Sequence, residues 1–288
     1  MSPLEPCTQE EADTRIMLHL KHAAAQGHRI AFVRTVDTDV VVLATHFFPK
    51  LGLDELWVGI GSGKHYRDVP VHEVSDSLGP DKCSALLMFH AITGSDQSSA
   101  LKNIGKKKAW STWDLLGDTL TLVFITLTND PSKLTIDSDI MKVIQRFTVV
   151  QYDPKSEIES VNQARRYMFT KKLKPLEAIP PTKHALYQHV RHSVIAAHNW
   201  SQSLLKEPNM LPPAEYGWVW NERLERWMPH WSDLPDVSTG CALLISCGCK
   251  VACKGNCKCS RNGMRCTSLC ACQGTCVNHN NKENLIEN

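Results

Sequence analysis

The chain has 288 residues, of which 42% are hydrophobic and 22% charged, with a net charge of +2. That leaves room for one large domain with small appendages, and the averaged charge points to no partner. The longest apolar candidate, Leu120–Leu127, falls short of the ~20 residues of a membrane span, and the opening MSPLEPCTQEEAD lacks the apolar core of a secretory signal. A cytosolic or nuclear protein is expected.

In chain order, Thr8 and Glu11 form a capping-box pattern ahead of a helical stripe at Ile16, Met17, Leu20, Ala23 and Ala24 that ends at Gly27. Arg29–Val36 has the apolar run of a buried strand and breaks at Asp37-Thr38-Asp39, after which Val40–Ala44 is a short apolar run. Leu56–Ile60 reads as a second strand, with a glycine turn at 59–63. The GSGK at 61–64 lacks the phosphate-loop spacing, because Val58 is not Gly and His65 is neither Ser nor Thr.

His72–Leu78 and Lys82–Thr93 read as helices, the second closing on Gly94-Ser95-Asp96. A basic turn around Gly105 leads into a Trp-bearing helix, and helices dominate to about Gln202. This predicts an α/β domain with a helical C-terminal part. Residues 206–240 carry five prolines and the closely spaced Trp218, Trp220, Trp227 and Trp231. They read as an irregular connector whose indoles pack on the preceding helices or offer a platform for bases. The histidines show no paired ligand spacing and read as surface or packing residues. The polar end, 281–288, is expected to be disordered.

Cysteine is unevenly spread: Cys7 and Cys83 stand alone, and the other ten lie between Cys241 and Cys276. With no secretory route, metal is the expected use of the cluster, ahead of a disulfide knot or a metallothionein-like store. Nine of the ten, Cys247, Cys249, Cys253, Cys257, Cys259, Cys266, Cys270, Cys272 and Cys276, fall into C-x-C pairs with a further cysteine four residues away. Tetrahedral zinc takes four thiolates. Nine thiolates therefore serve three Zn²⁺ ions if three sulfurs bridge, and Cys241 is left outside the set. Three Zn²⁺ leave three negative charges uncompensated. Lys250, Lys254, Lys258, Arg261 and Arg265 exceed these, and no Asp or Glu lies between 247 and 276. Such a surplus of cations is a footprint for phosphate.

The run CGCKVACKGNCKCSRNGMRCTSLCACQGTCVNH resembles the CXC domain of the tesmin family and is similar to the cysteine-rich modules of polycomb methyltransferases. The resemblance implies a small, irregular three-zinc, nine-cysteine module over 241–280. It also implies DNA binding through cations and an aromatic beside the first cysteines. The doubled repeat typical of the family is absent, and no Tyr or Phe lies in the cluster.

Five acids occupy telling places: Glu11 and Asp13 at the first helix, Asp37 and Asp39 after the first strand, and Asp96 after Gly94-Ser95. Ligands gather beyond strand C-termini in α/β sheets, and converging carboxylates suit Mg²⁺ or Mn²⁺. Taken singly, each pattern is also an ordinary cap or turn. In their order, E-A-D at 11–13, T-V-D-T-D at 35–39, G-S-D at 94–96 and N-I-G-K-K at 103–107 resemble the flap-endonuclease, or PIN-like 5′-nuclease, family. That resemblance implies a partial PIN-like sheet with helices over 8–130, followed by a helical extension over 131–205. It makes Glu11, Asp13, Asp37, Asp39 and Asp96 metal ligands, and Lys102, Asn103, Gly105, Lys106 and Lys107 a turn that grips duplex DNA. The family's first strand and its aspartates precede the E-x-E helix, whereas about ten residues precede it here. A fragment of a longer product or a relic of a mobile element is expected. The whole reads as a nuclear zinc-dependent DNA-binding protein with an incomplete nuclease-like domain, or as an active nuclease if the missing strand is supplied. No small-molecule substrate or membrane partner is indicated.

Overall fold

The computed structural model describes residues 4–170, 174, 178–230, 232, 246–248, 257–261, 265–273, 276 and 278. The fold is mixed α/β with small sheets, as expected. The chain runs α1 (Ala12–Ala25), β1 (Ile30–Thr35), α2 (Thr38–Leu51), β2 (Glu55–Ile60), β3 (Arg67–Pro70) and α3 (Val71–Ile92). It continues through α4 (Lys106–Asn129), α5 (Asp139–Tyr152), α6 (Val161–Thr170), α7 (Lys183–Ser201), a hairpin of β4 (Trp218–Asn221) and β5 (Arg226–Pro229), and a short α8 (Lys258–Arg261).

β1 and β2 are parallel, with Phe32 opposite Trp57, and β3 closes the sheet antiparallel to β2. Leu56, Val58 and Ile60 turn their side chains into the core, where α2 and α3 lie against β2. β1 departs from the buried strand expected. It is an edge strand with alternating exposure, and Ile30 and Phe32 remain 63% and 58% exposed. An apolar run cannot by itself separate a central strand from an edge strand with one open face. The apolar run at Val40–Ala44 belongs to α2, capped by Asp37, whose carboxylate accepts from the Asp39 amide at 2.8 Å.

α3 is the centre of the molecule: from Ala85 to Ile92 every residue is buried, because α2, α4 and α7 all pack on it. The two helices expected at 72–78 and 82–93 are its two arms. They meet at Gly79, whose φ of 77° is open to glycine at no steric cost and bends the axis ahead of Pro80. The capping box expected at Thr8 is not formed. Glu11 is the N-cap residue of α1 without a side-chain cap bond, and the Thr8 amide instead donates to the Lys206 carbonyl at 3.0 Å.

The connector is not irregular throughout. Trp218 does pack on α7, its ring 4.9 Å from that of His192, but Trp220 and Trp227 pack edge-to-face on each other across the hairpin. Trp231 and residues 281–288 lie outside the described residues. Among the described residues no helix is long and apolar enough to cross a membrane.

Candidate metal centre and acidic site

Cys247, Cys257, Cys259, Cys266, Cys270, Cys272 and Cys276 are all buried, an unusual concentration of thiols away from water. Six of them form two four-sulfur groups. Cys247, Cys257, Cys259 and Cys266 make one, and Cys247, Cys266, Cys270 and Cys272 the other; within each, the sulfurs lie within 4.8 Å of one another. Cys247 and Cys266 belong to both groups. Within the groups, the Sγ–Sγ separations of 3.7 Å (Cys247–Cys266) and 3.8 Å (Cys257–Cys266) have a simple geometric meaning. Four sulfurs ~2.3 Å from a central ion stand about 3.8 Å apart along the edges of the tetrahedron. The described cysteines are thus spaced as ligands of zinc, with two thiolates shared. This cluster can hold metal ions, and its donor set and spacing suit zinc.

Local backbone supplies the surroundings that thiolates need. The amides of Cys247 and Thr267 donate to Cys270 Sγ at 3.4 and 3.2 Å, and the Ser260 amide donates to Cys257 Sγ at 3.3 Å. Asn278 Nδ2 donates to Cys266 Sγ at 3.4 Å. Burial pushes the Cys270 thiol up, but these amides and the Thr267 hydroxyl outweigh it and hold the pKa down at about 7. Burial and the neighbouring sulfurs push Cys259 and Cys266 up. A bound divalent cation reverses that, since a coordinating thiol loses its proton outright. The Ala271 amide donates to the Cys247 carbonyl at 2.9 Å, joining the two ends of the cluster.

Cys249, Cys253, Cys241, Lys250 and Lys254 lie outside the described residues, as does the side chain of Lys258. Arg261 and Arg265 are exposed, on the short helix α8 and just before Cys266.

The five acids come from three separate segments and gather around Asp13. Burial raises the Asp13 carboxyl above its usual range, and the charges of Asp37, Asp39 and Asp96 raise it further. Glu11 is raised by burial and then by Asp13 and Asp39, while Gln97 Nε2 donates to it. The carboxylates therefore share one electrostatic field. Among the described residues, however, no three of them bring an oxygen each within 4.8 Å of the others.

Asp96 is held in a tight turn in which Ser95 and Ser98 exchange backbone bonds of 3.0 and 3.3 Å. Gly94 makes that turn possible: its φ is 102°, and a Cβ there would stand 2.7 Å from that of Ala100.

Two residues that the sequence did not connect to the acids complete the site. His90, 5% exposed near the end of α3, places Nε2 2.8 Å from Asp39 Oδ1. Its Nδ1 lies 3.3 Å from Lys106 Nζ. An ammonium only donates, so in this arrangement Nδ1 faces Lys106 as acceptor and Nε2–H donates to Asp39. The His90 bond and the Lys106 charge hold the Asp39 carboxyl below its usual range against the effect of burial.

Lys106, expected with Lys107 as a phosphate contact, is exposed as a residue but bends its ammonium back toward His90. Its ammonium also reaches Thr93 Oγ1 at 3.2 Å and the Gly94 carbonyl. The carbonyls at the end of α3 attract it there. Lys102 and Lys107 are exposed. Asn103 takes a left-handed φ of 61°, and Gly105 is the N-cap residue of α4. His90 precedes Gly94-Ser95-Asp96 by one helical turn, and that spacing was the available signal for its place in the site.

No family model, curated protein or solved structure matches the chain.

Proposed function

We propose that this is a zinc-dependent DNA-binding protein whose larger part is a PIN-like 5′-nuclease scaffold with an incomplete acidic site. The observation that carries the proposal is the sharing of Cys247 and Cys266 by two four-sulfur groups. Sharing is what nine cysteines need in order to hold three structural Zn²⁺ ions. Lys250, Lys254, Lys258, Arg261 and Arg265 alternate in sequence with the cysteines and exceed the charge of a three-zinc cluster, and phosphate is their natural partner. A nuclear location and descent from a mobile element go with this reading.

For the larger part, support comes from the parallel β1 and β2, the acids that follow β1, the Gly94-Ser95-Asp96 turn and the Asn103–Lys107 turn ahead of α4. Among the described residues β1 pairs only with β2, and Ile30 and Phe32 are exposed on it. Asp39 is already bonded to His90 and faces Lys106, so fixed internal groups supply part of the compensation that a divalent ion gives in a working site. One observation favours the alternative, an active nuclease binding Mg²⁺ or Mn²⁺: Asp13 still lies in the field of three other acids, which a cation would relieve.

The test is duplex binding by the full chain, followed by fluorescence anisotropy against salt. If three or four cations touch phosphate, the log–log slope is about −3 to −4, with little sequence preference. Replacing the five basic residues of the zinc module should remove most of the affinity; unchanged binding would refute the proposal.

A further inference from the structure

β1 leaves one edge of the sheet open, since among the described elements only β2 packs closely on it. Ala31, Val33 and Thr35 share a face with the buried Leu56, Val58 and Ile60 of β2, yet they stay only part-buried. The opposite face shows Ile30 and Phe32, and Val36 just past the strand is 81% exposed. Backbone N–H and C=O groups along an open edge are a template for a further strand. Edges that stay single are guarded by Pro, Lys, a bulge or shortness. Residues 29–37, Arg-Ile-Ala-Phe-Val-Arg-Thr-Val-Asp, contain no Pro and no Lys, and the backbone at Asp37 is extended (φ −97°, ψ 131°).

This segment is complementary to itself when reversed about Val33. Arg29 then falls opposite Asp37, Ile30 opposite Val36, Ala31 opposite Thr35 and Phe32 opposite Arg34. The pairs match in kind: opposite charges, two exposed apolar side chains, two small part-buried ones, and an exposed ring with an exposed guanidinium. Other centres fail. Reversal about Arg34 sets that cation against itself, and reversal about Phe32 leaves Val36 facing His28. A centre between two residues puts the exposed face of one strand beside the core face of the other.

We propose that two copies of this chain pair through β1, antiparallel about a twofold axis at Val33, so that their two sheets become one. Arg29 is held at the start of the strand by Asp54, its Nε 2.9 Å from Oδ2, and its side chain is still 58% exposed. The pairing sets it beside Asp37 of the other copy, so each copy lends a cation to the acidic site of its mate.

The experiment is sedimentation velocity of the metal-loaded full chain and of two variants, Ile30→Asp and Val36→Lys. Both positions are largely exposed and so tolerate a polar residue in the single chain. The unaltered protein should sediment as a dimer. Each variant alone sets a charge against an apolar side chain, and the twofold axis makes that change count twice. Its dimer should therefore dissociate at least roughly tenfold more readily. An equimolar mixture of the two variants should regain the dimer, because the introduced carboxylate meets the introduced ammonium while Ile30 and Val36 stay opposed at the second contact. A variant that merely misfolded could not be rescued in this way. A monomer at high micromolar concentration, a dimer that neither variant weakens, or a mixture no tighter than the variants alone would overturn the proposal.

Discussion

Removing either member of the Asp39–His90 pair should reveal a coupling that the two separate losses do not predict. The side chains are 7% (His90) and 15% (Asp39) exposed, and the 2.8 Å bond joins a donor N–H to a carboxylate. A hydrogen bond to a charged group in such surroundings contributes about 1.5–3 kcal/mol. His90→Ala also opens a cavity and leaves the largely buried Asp39 carboxylate without its donor, so it should cost about 3–5 kcal/mol. Asp39→Ala removes the charge instead of stranding it and should cost less. The double variant should be less damaged than the sum of the two by the 1.5–3 kcal/mol of the bond. Urea unfolding followed by circular dichroism measures all four stabilities, provided that the dependence on urea is the same in each.

The coupling also has a pH signature. The folded pKa of Asp39 is depressed, so its contribution is fully present above the unfolded value of ~3.9 and is lost as pH falls through the folded value. Additivity within ~0.5 kcal/mol at pH 7 would show that His90 and Asp39 do not meet in solution.

Asp13→Asn should stabilise the protein at pH 7, because a carboxyl whose folded pKa is raised costs stability when ionised. Solvent screening limits the gain to a few tenths of a kcal/mol. Scanning calorimetry should show a rise in Tm of about 1 °C. The gain should fade as pH drops through the raised pKa, and a loss of stability at pH 7 would contradict the clustering. Cys266→Ala should lower the zinc content by two ions and Cys272→Ala by one, since Cys266 belongs to both groups and Cys272 to one; equal losses by metal analysis would argue against sharing. With Mg²⁺ or Mn²⁺ the chain should cleave a 5′-flap duplex little or not at all. Robust turnover that disappears in Asp37→Asn/Asp96→Asn would establish the acids as a working two-metal site.

What could be read from the sequence divides along the range of the interactions. Ligand spacing is a local property: the cysteines of 247–276 declare their chemistry within thirty positions, and the described ones gather as that spacing implies. The glycine turn at Gly94 and the caps at Asp37 and Gly105 are local too. The edge position of β1 is not, because Ile30 and Phe32 are as apolar as any core pair and only the number of neighbouring strands exposes them. His90 and Lys106 escape a linear reading because the end of α3 and the start of α4 must fold together before one can reach the other. Gln9 meets Ser203 and Leu205 across 194 and 196 residues, and no pattern near Thr8–Glu11 announces it. The same long-range contact explains why the Thr8 capping box gives way to a strap.

The central claim is a zinc cluster with shared thiolates, and native mass spectrometry of the full chain, paired with zinc-edge absorption spectroscopy, tests it most directly. The predicted result is three Zn²⁺ per chain in all-sulfur shells at ~2.3 Å, with Cys241 alkylatable and the other nine cysteines of the cluster protected. One or two ions, nitrogen or oxygen in the shell, or alkylation of several of the nine in the metal-loaded protein would contradict it.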